Sequence, residues 1–445
     1  MGELKYLIFF FVLLIGVPVG YLLALRKPLV EKIVFFMMIF FTCRLGESIN
    51  FVSHETYRGT SRGFEVTLVD IATLIIFFLV WTRRSPVKIR LIPPGTFLYL
   101  LYFVFSVASI SNSGEPLYSW FEVWKMIRMY FFFWTLYNYL DTQEKVEQLF
   151  RYFAWMVVYI FLVVIDQKYH LRIYQTNGPF PHQNSLVMYM IIINSLMLAK
   201  LLQFDKSFRE ISWTLIIFGL GSICVISTLS RGGLLCYGVS IAMIMTISFI
   251  SKVELKNVVL LTVMAMLGVA VLGASLNSII TRIKSAPESS KNSRIELAHG
   301  AVRMAQDKTL GIGLNNFGLK INDPYPYGDH IPRATADFKE GLVETTYLMI
   351  AAETGWHNLV IFLLFILYFY ARNIYNYWRG AKNPLRFIAL GLIGGLLAIY
   401  LESTLEWVLK QTNNFYQLML VFAIIANFNR IKITERTPDG QVQRQ

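Results

Sequence analysis

The sequence predicts an all-α polytopic membrane protein with about 12–13 transmembrane helices and one large external loop containing amphipathic helices. Three observations carry this. The 445 residues are 55% hydrophobic and only 16% charged, with a mean hydropathy of +0.51. Several windows of about 18 residues or more are almost free of charge, long enough to cross a hydrocarbon core at about 1.5 Å per residue. Lys and Arg gather in alternate breaks between these windows, the pattern expected of short cytoplasmic loops. A large soluble α/β core would need short, punctuated apolar runs instead. The net charge of +13 does not point to nucleic acid, because the charges alternate by loop. Cys43, Cys224 and Cys236 lie in or beside apolar runs and read as small core residues, with no disulfide framework or metal site.

Residues 7–25 form the first predicted span. The run ends at Arg26-Lys27-Pro28 with no small-residue cleavage site, so it reads as an uncleaved helix. Further spans are expected at 33–42, 66–81, 96–110, 120–140, 154–165, 185–202, 213–229, 235–250, 258–272, 348–370, 387–400 and 415–426. These group the chain into an amino-terminal bundle (1–273), an external loop (274–341), carboxyl-terminal helices (342–427) and a cytoplasmic tail (428–445). Placing the basic breaks inside puts the polar breaks 47–65, 111–119, 166–184, 230–233 and 402–412 outside with the large loop. That convergence on one face is what an outward-facing active site requires, although outer loops also collect whatever carries no inside signal.

Lys125 and Arg128 sit three apart on one helix face, below the outer surface. At that depth charges either line a polar cavity or else snorkel or pair, here with Glu122 or Glu115. Arg231, in Thr228-Leu-Ser-Arg-Gly-Gly233 between two helices, is suited to bidentate contact with phosphate oxygens, or else caps the preceding helix. Asn177-Gly-Pro-Phe-Pro-His-Gln-Asn184 is a rigid turn that offers His182 and Asn184 to the outer mouth; a helix-capping Asn beside a surface His would look the same. In 292–305, Ile295, Ala298, Val302 and Ala305 have helical spacing for a helix lying across the bundle. Glu296, His299 and Arg303 share another face, either a site or a solvated, salt-bridged surface. Glu344 opens the span after the loop and can orient a cation or accept a proton. Glu353, inside that span, is expected to pair with a buried arginine.

Gly178-Pro-Phe-Pro-His-Gln-Asn184, Ser230-Arg-Gly-Gly233, Ser293-Arg294 leading into Gly311-Ile-Gly-Leu-Asn-Asn-Phe317, and Glu344-Thr-Thr-Tyr-Leu-Met-Ile-Ala-Ala-Glu-Thr-Gly355 together resemble the O-antigen ligase and O-antigen polymerase superfamily of bacterial membrane glycosyltransferases. The resemblance covers roughly 175–360, and the many-span layout extends it. It implies transfer of a glycan from an undecaprenyl diphosphate carrier to a glycan, lipid or protein acceptor at the periplasmic face of the inner membrane, among membrane lipids, with no metal, cofactor or nucleic acid. Arg231 and Arg294 match the arginines thought to bind the diphosphate, and Gly311 and Gly313 belong to the matching loop. Where the family usually has His-Asn, this chain has Glu344-Thr345. The histidine's catalytic role then passes to Glu344, to a neighbour such as His330, or to nothing. In such a reaction Lys125, Arg128, His182, Asn184, His299 and Arg303 are further candidate substrate contacts. A ligase and a polymerase share this site. A transporter would instead show internal repeats and polar groups at mid-depth, and a non-catalytic binding protein stays open because of Glu344-Thr345.

Overall fold

A computed structural model describes residues 2–46, 48–83, 88–203, 207–251, 288–331, 341–436 and 442–444. The expected span at 258–272 and residues 274–287 and 332–340 of the large loop lie outside these. Helix α1 (Gly2–Phe11) passes through a π-helical turn (Val12–Gly16) into α2 (Val17–Arg26), and Pro28 opens α3 (Pro28–Phe40) at a position where its missing N–H is not needed. Strands β1 (Ile49–Ser53) and β2 (Gly63–Val66) pair antiparallel. Helix α4 (Leu68–Thr82) starts at a capping box, Thr67 with Asp70. Helix α5 (Thr96–Ala108) ends in a 3₁₀ turn (Ser109–Asn112), and Pro116 opens α6 (Pro116–Tyr139). Next come α7 (Gln143–Ile165), α8 (Gln183–Leu201), α9 (Phe208–Ser227), whose first turn is capped by Ser207, and α10 (Arg231–Ser251). After these come α11 (Glu288–Asp307), α12 (Phe317–Lys320), α13 (Thr346–Thr354), α14 (Trp356–Arg379), α15 (Arg386–Glu402) and α16 (Thr412–Asn427), with a short terminal pair β3 (Thr434–Arg436) and β4 (Val442–Arg444).

Among the described residues six helical stretches are long and apolar enough to cross a membrane: Tyr6–Arg26, Gln143–His170, Gln183–Leu201, Phe208–Ser227, Arg231–Ser251 and Trp356–Arg379. The chain is an all-α polytopic membrane protein. Three local expectations are corrected. The β1–β2 hairpin lies in the break 47–65 and runs on to Val66, so the span expected at 66–81 begins as a helix only at Leu68. The span expected at 348–370 is two helices, α13 and α14, separated by Gly355 at φ 87°. On α11 the buried face is Ser293, Leu297, Ala301, Met304 and Ala305, while Ile295 is exposed. Of the expected stripe only Ala305 is buried, with Ala298 and Val302 half-buried; both faces offer apolar residues at helical spacing, and packing turned the helix toward Leu297, Ala301 and Met304.

The chain forms two compact units that are not consecutive in sequence. One comprises Met1–Tyr152, Asn292–Phe369 and Leu409–Gln445; the other, Phe153–Lys291 and Tyr370–Val408. In the first, α6 packs against α4 and α16, with Phe132 edge-on to Tyr416 and Phe369 stacked on Phe422 at 4.0 Å. In the second, α8 is enclosed by α9, α10 and α15, and it is buried on nearly every face. A helix apolar all round belongs in such a position.

Candidate functional site

Within the first unit, the loop leading out of α11 is fastened from several sides. Gly311 (φ 70°) lies so close to α13 that a Cβ would overlap the Glu353 carbonyl carbon and the Thr354 nitrogen. The Ile312 N–H donates to the Ala352 carbonyl (2.9 Å) and the Gly313 N–H to that of Glu353 (3.0 Å). Asn315, fully buried, accepts at Oδ1 from the Thr60 N–H (2.8 Å) and donates from Nδ2 to the Ser61 and Tyr118 carbonyls (both 2.8 Å). Asn316 accepts from the Glu115 N–H (2.9 Å) and donates to Ser119 Oγ (3.0 Å). Buried amides spent on backbone groups in this way position a loop. The tip of the β1–β2 hairpin, the start of α6 and the end of α13 are thereby tied together.

Beneath this knot lie two buried ionic groups. Lys125 Nζ is 2.7 Å from Glu122 Oε2 and donates to the Thr60 (3.1 Å) and Lys410 (2.9 Å) carbonyls. Lys410 Nζ is 2.6 Å from Glu353 Oε2 and 3.8 Å from Glu122 Oε1. Two lysines thus match two carboxylates, and all four side chains are at most 5% exposed. One helical turn along α6, Arg128 meets Asp70 (2.7 Å) and Glu65 (3.1 Å), and Tyr416 Oη donates to Asp70 (2.6 Å). Lys125 and Arg128 are therefore brought together on α6 with their charges already matched. Glu353 does have a buried cationic partner, but it is Lys410 and not the arginine expected. Sequence reasoning missed Lys410, Asp70 and Glu65. Asp70, a carboxylate inside a predicted apolar span, was a usable signal.

The third cluster surrounds α11. Arg294 Nε contacts Glu344 Oε2, with side chains 43% and 31% exposed. Burial pushes the Glu344 carboxyl above its ordinary value, and the Arg294 charge pulls partly the other way. His330 Nε2 donates to the Glu296 carbonyl (2.8 Å), since a carbonyl only accepts, so Nδ1 is left as acceptor toward Arg303 Nη1 at 3.3 Å. The His299 ring lies 6.4 Å from that of His330, and Tyr327 Oη donates to Asp307 (2.6 Å). At about 100° per residue, Glu296 and Arg303 are roughly half a turn around α11 from Arg294. The helix thus carries Arg294–Glu344 on one side and the Arg303–His330–Glu296 group, with His299, on another.

In the second unit, His182 is exposed and caps α8, its Nδ1 accepting from the N–H of buried Asn184 (3.3 Å). The preceding turn is held by Gln167, which accepts from the Asn177 (3.1 Å) and Gly178 (2.8 Å) N–H groups. Arg231 is the exposed first residue of α10, where Ser230 Oγ accepts from the Gly233 N–H (3.2 Å). Among the described residues Arg231 makes no ion pair.

A family profile described as O-antigen ligase matches residues 216–363, from within α9 to the first turns of α14, a stretch that holds Arg231, Arg294, Glu344 and Glu353. No curated protein matches. Among solved structures, a chain described under "Structural coordination of polymerization and crosslinking by a peptidoglycan synthase complex" aligns at TM-score 0.41 and 11% identity over 76% of this chain and 97% of its own. That likeness is too loose to support an argument.

Proposed function

We propose that this chain is a membrane glycosyltransferase of the O-antigen ligase kind, moving a glycan from an undecaprenyl diphosphate carrier to an acceptor hydroxyl at the periplasmic or external face of a bacterial inner membrane, with its carboxyl terminus cytoplasmic. The observation that carries this reading is the Arg294–Glu344 pair, a cation suited to phosphate and a partly desolvated carboxylate, within the stretch that matches the ligase family. In the reaction the acceptor oxygen attacks the anomeric carbon. The bond from that carbon to the diphosphate oxygen breaks, and its electron pair leaves with the carrier diphosphate. Arg294 stabilises the charge that grows there. The acceptor proton passes to Glu344 late in the step, because a sugar hydroxyl is a weak acid. Glu344 is preferred to His330 as base because the His330 Nδ1 lone pair already faces Arg303. Lys125 and Arg128, with their charges matched, position α6 in this reading.

The test is transfer in proteoliposomes from a carrier-linked glycan extracted from the native host. Glu344→Gln is expected to lower turnover by about 10²–10⁴-fold, and Arg294→Ala to suppress release of carrier diphosphate. Growth of the carrier-linked chain identifies a polymerase, and transfer to another anchor a ligase. Full turnover in both variants would remove the proposal.

A further inference from the structure

We infer that Glu344 stands in for the donor diphosphate in the resting protein: it occupies Arg294 until a diphosphate displaces it, and the displacement releases the carboxylate as base. This inference rests on the reading of Arg294 as a phosphate ligand.

Three features carry it. The Arg294–Glu344 contact brings Nε to Oε2 of the carboxylate. A diphosphate offers more charge and more oxygens to the same guanidinium, and bidentate phosphate contacts are among the strongest that arginine makes. The pair is also far more exposed, at 43% and 31%, than Lys125–Glu122 at 2% each or Arg128 at 5%. Exposed pairs cost little to open, whereas the buried ones hold the fold. Finally, Glu344 lies in residues 341–345, the segment leading into α13, and not inside a helix.

The exchange has a chemical consequence for the base. Among the described residues Arg294 is the charged group acting on the Glu344 carboxyl, and it opposes the upward push of burial. When Arg294 turns to the diphosphate, Glu344 becomes more basic while it is freed to face an acceptor. A base restrained in this way is weak until the donor is in place, which limits reaction before the ternary complex forms. The resting pair thus couples donor binding to base strength.

Inorganic pyrophosphate is the probe, titrated by calorimetry into the full-length protein in nanodiscs at low salt, with orthophosphate as comparison. Glu344→Gln, which keeps the shape and removes the competing charge, is expected to tighten pyrophosphate binding about three- to fivefold. Glu344→Asp, too short to keep the contact, is expected to tighten it as well and serves should the Gln variant fail to fold. In buffers of different ionisation heat at mildly acidic pH, pyrophosphate exchanges protons with the buffer in both proteins, and wild type is expected to take up a fraction of a proton more than Glu344→Gln on binding. Unchanged or weaker binding in both Glu344 variants overturns the inference and leaves the diphosphate reading standing. Failure of wild type to bind pyrophosphate, or unchanged binding in Arg294→Ala, overturns the diphosphate reading and the inference with it.

Discussion

Replacing Lys410 by Met tests whether the buried ion pairs hold the first unit together. Lys410 is 4% exposed and lies 2.6 Å from Glu353 and 3.8 Å from Glu122. Its removal leaves two carboxylates sharing one cation, Lys125, in a place that water does not reach. Breaking a buried pair by deleting one partner costs about 3–5 kcal/mol. At about 2–4 °C per kcal/mol for a unit of this size, the melting temperature in detergent falls by roughly 10 °C. The compensated double variant Lys410→Met/Glu353→Gln restores the charge count and is expected to recover most of that loss. The cycle of wild type, both single variants and the double variant isolates the coupling. A drop of less than about 1 kcal/mol in Lys410→Met, or no recovery in the double variant, would refute the reasoning, since either implies that water or another group already compensates Glu353.

Gly311→Ala forces a side chain into the backbone of α13 at a positive φ and is expected to cost about 2 kcal/mol or more, read as a lower thermal midpoint. Because the Glu344 carboxyl is raised by burial, turnover is expected to climb with pH along an acid limb centred above the ordinary 4.5. In kcat/KM, which reports the free protein, the Arg294→Ala variant has lost the opposing charge and shifts the limb still higher, and Glu344→Gln abolishes it. By the same sign, the contribution of Glu344 to folding is present at low pH, where it is protonated, and is lost as pH rises through its raised value. Arg231→Ala, at an exposed position, is expected to change stability by no more than about 0.5 kcal/mol; the sequence reading of Arg231 as a phosphate ligand expects donor-dependent turnover to fall, and normal turnover would exclude that role.

The apolar spans were legible because lipid forces a length and a composition on any helix that crosses it. Gly355 was not legible as a break, since a lone glycine inside an apolar run is ordinarily tolerated. It separates α13 from α14 because the loop before Gly311 packs against its backbone. The hairpin at 49–53 and 63–66 was hidden in a polar break, and its tip is ordered by contacts to Asn315, more than 250 residues away. On α11 the helical period was right and the phase was not, because Leu297, Ala301 and Met304 compete with Ile295, Ala298 and Val302. Glu122 and Lys125 are near neighbours, so pairing was one of the readings open to Lys125. The partner of Glu353 lies in another segment, where spacing gives no guidance. Arg294 and Glu344 were each singled out, but their contact across the large loop has no local signature.

The separation of Glu353 from Lys410 bears on how the chain is made. Glu122 and Lys125 are made almost together, as a self-neutralising couple one turn apart on a single helix. Glu353 emerges 57 residues ahead of its cation, an interval of roughly 3–11 s at about 5–20 residues per second. Until then the Glu353 carboxyl is met by water or by a proton instead of by Lys410. A chain that stops short of residue 410 therefore leaves the Glu353 carboxyl without this partner.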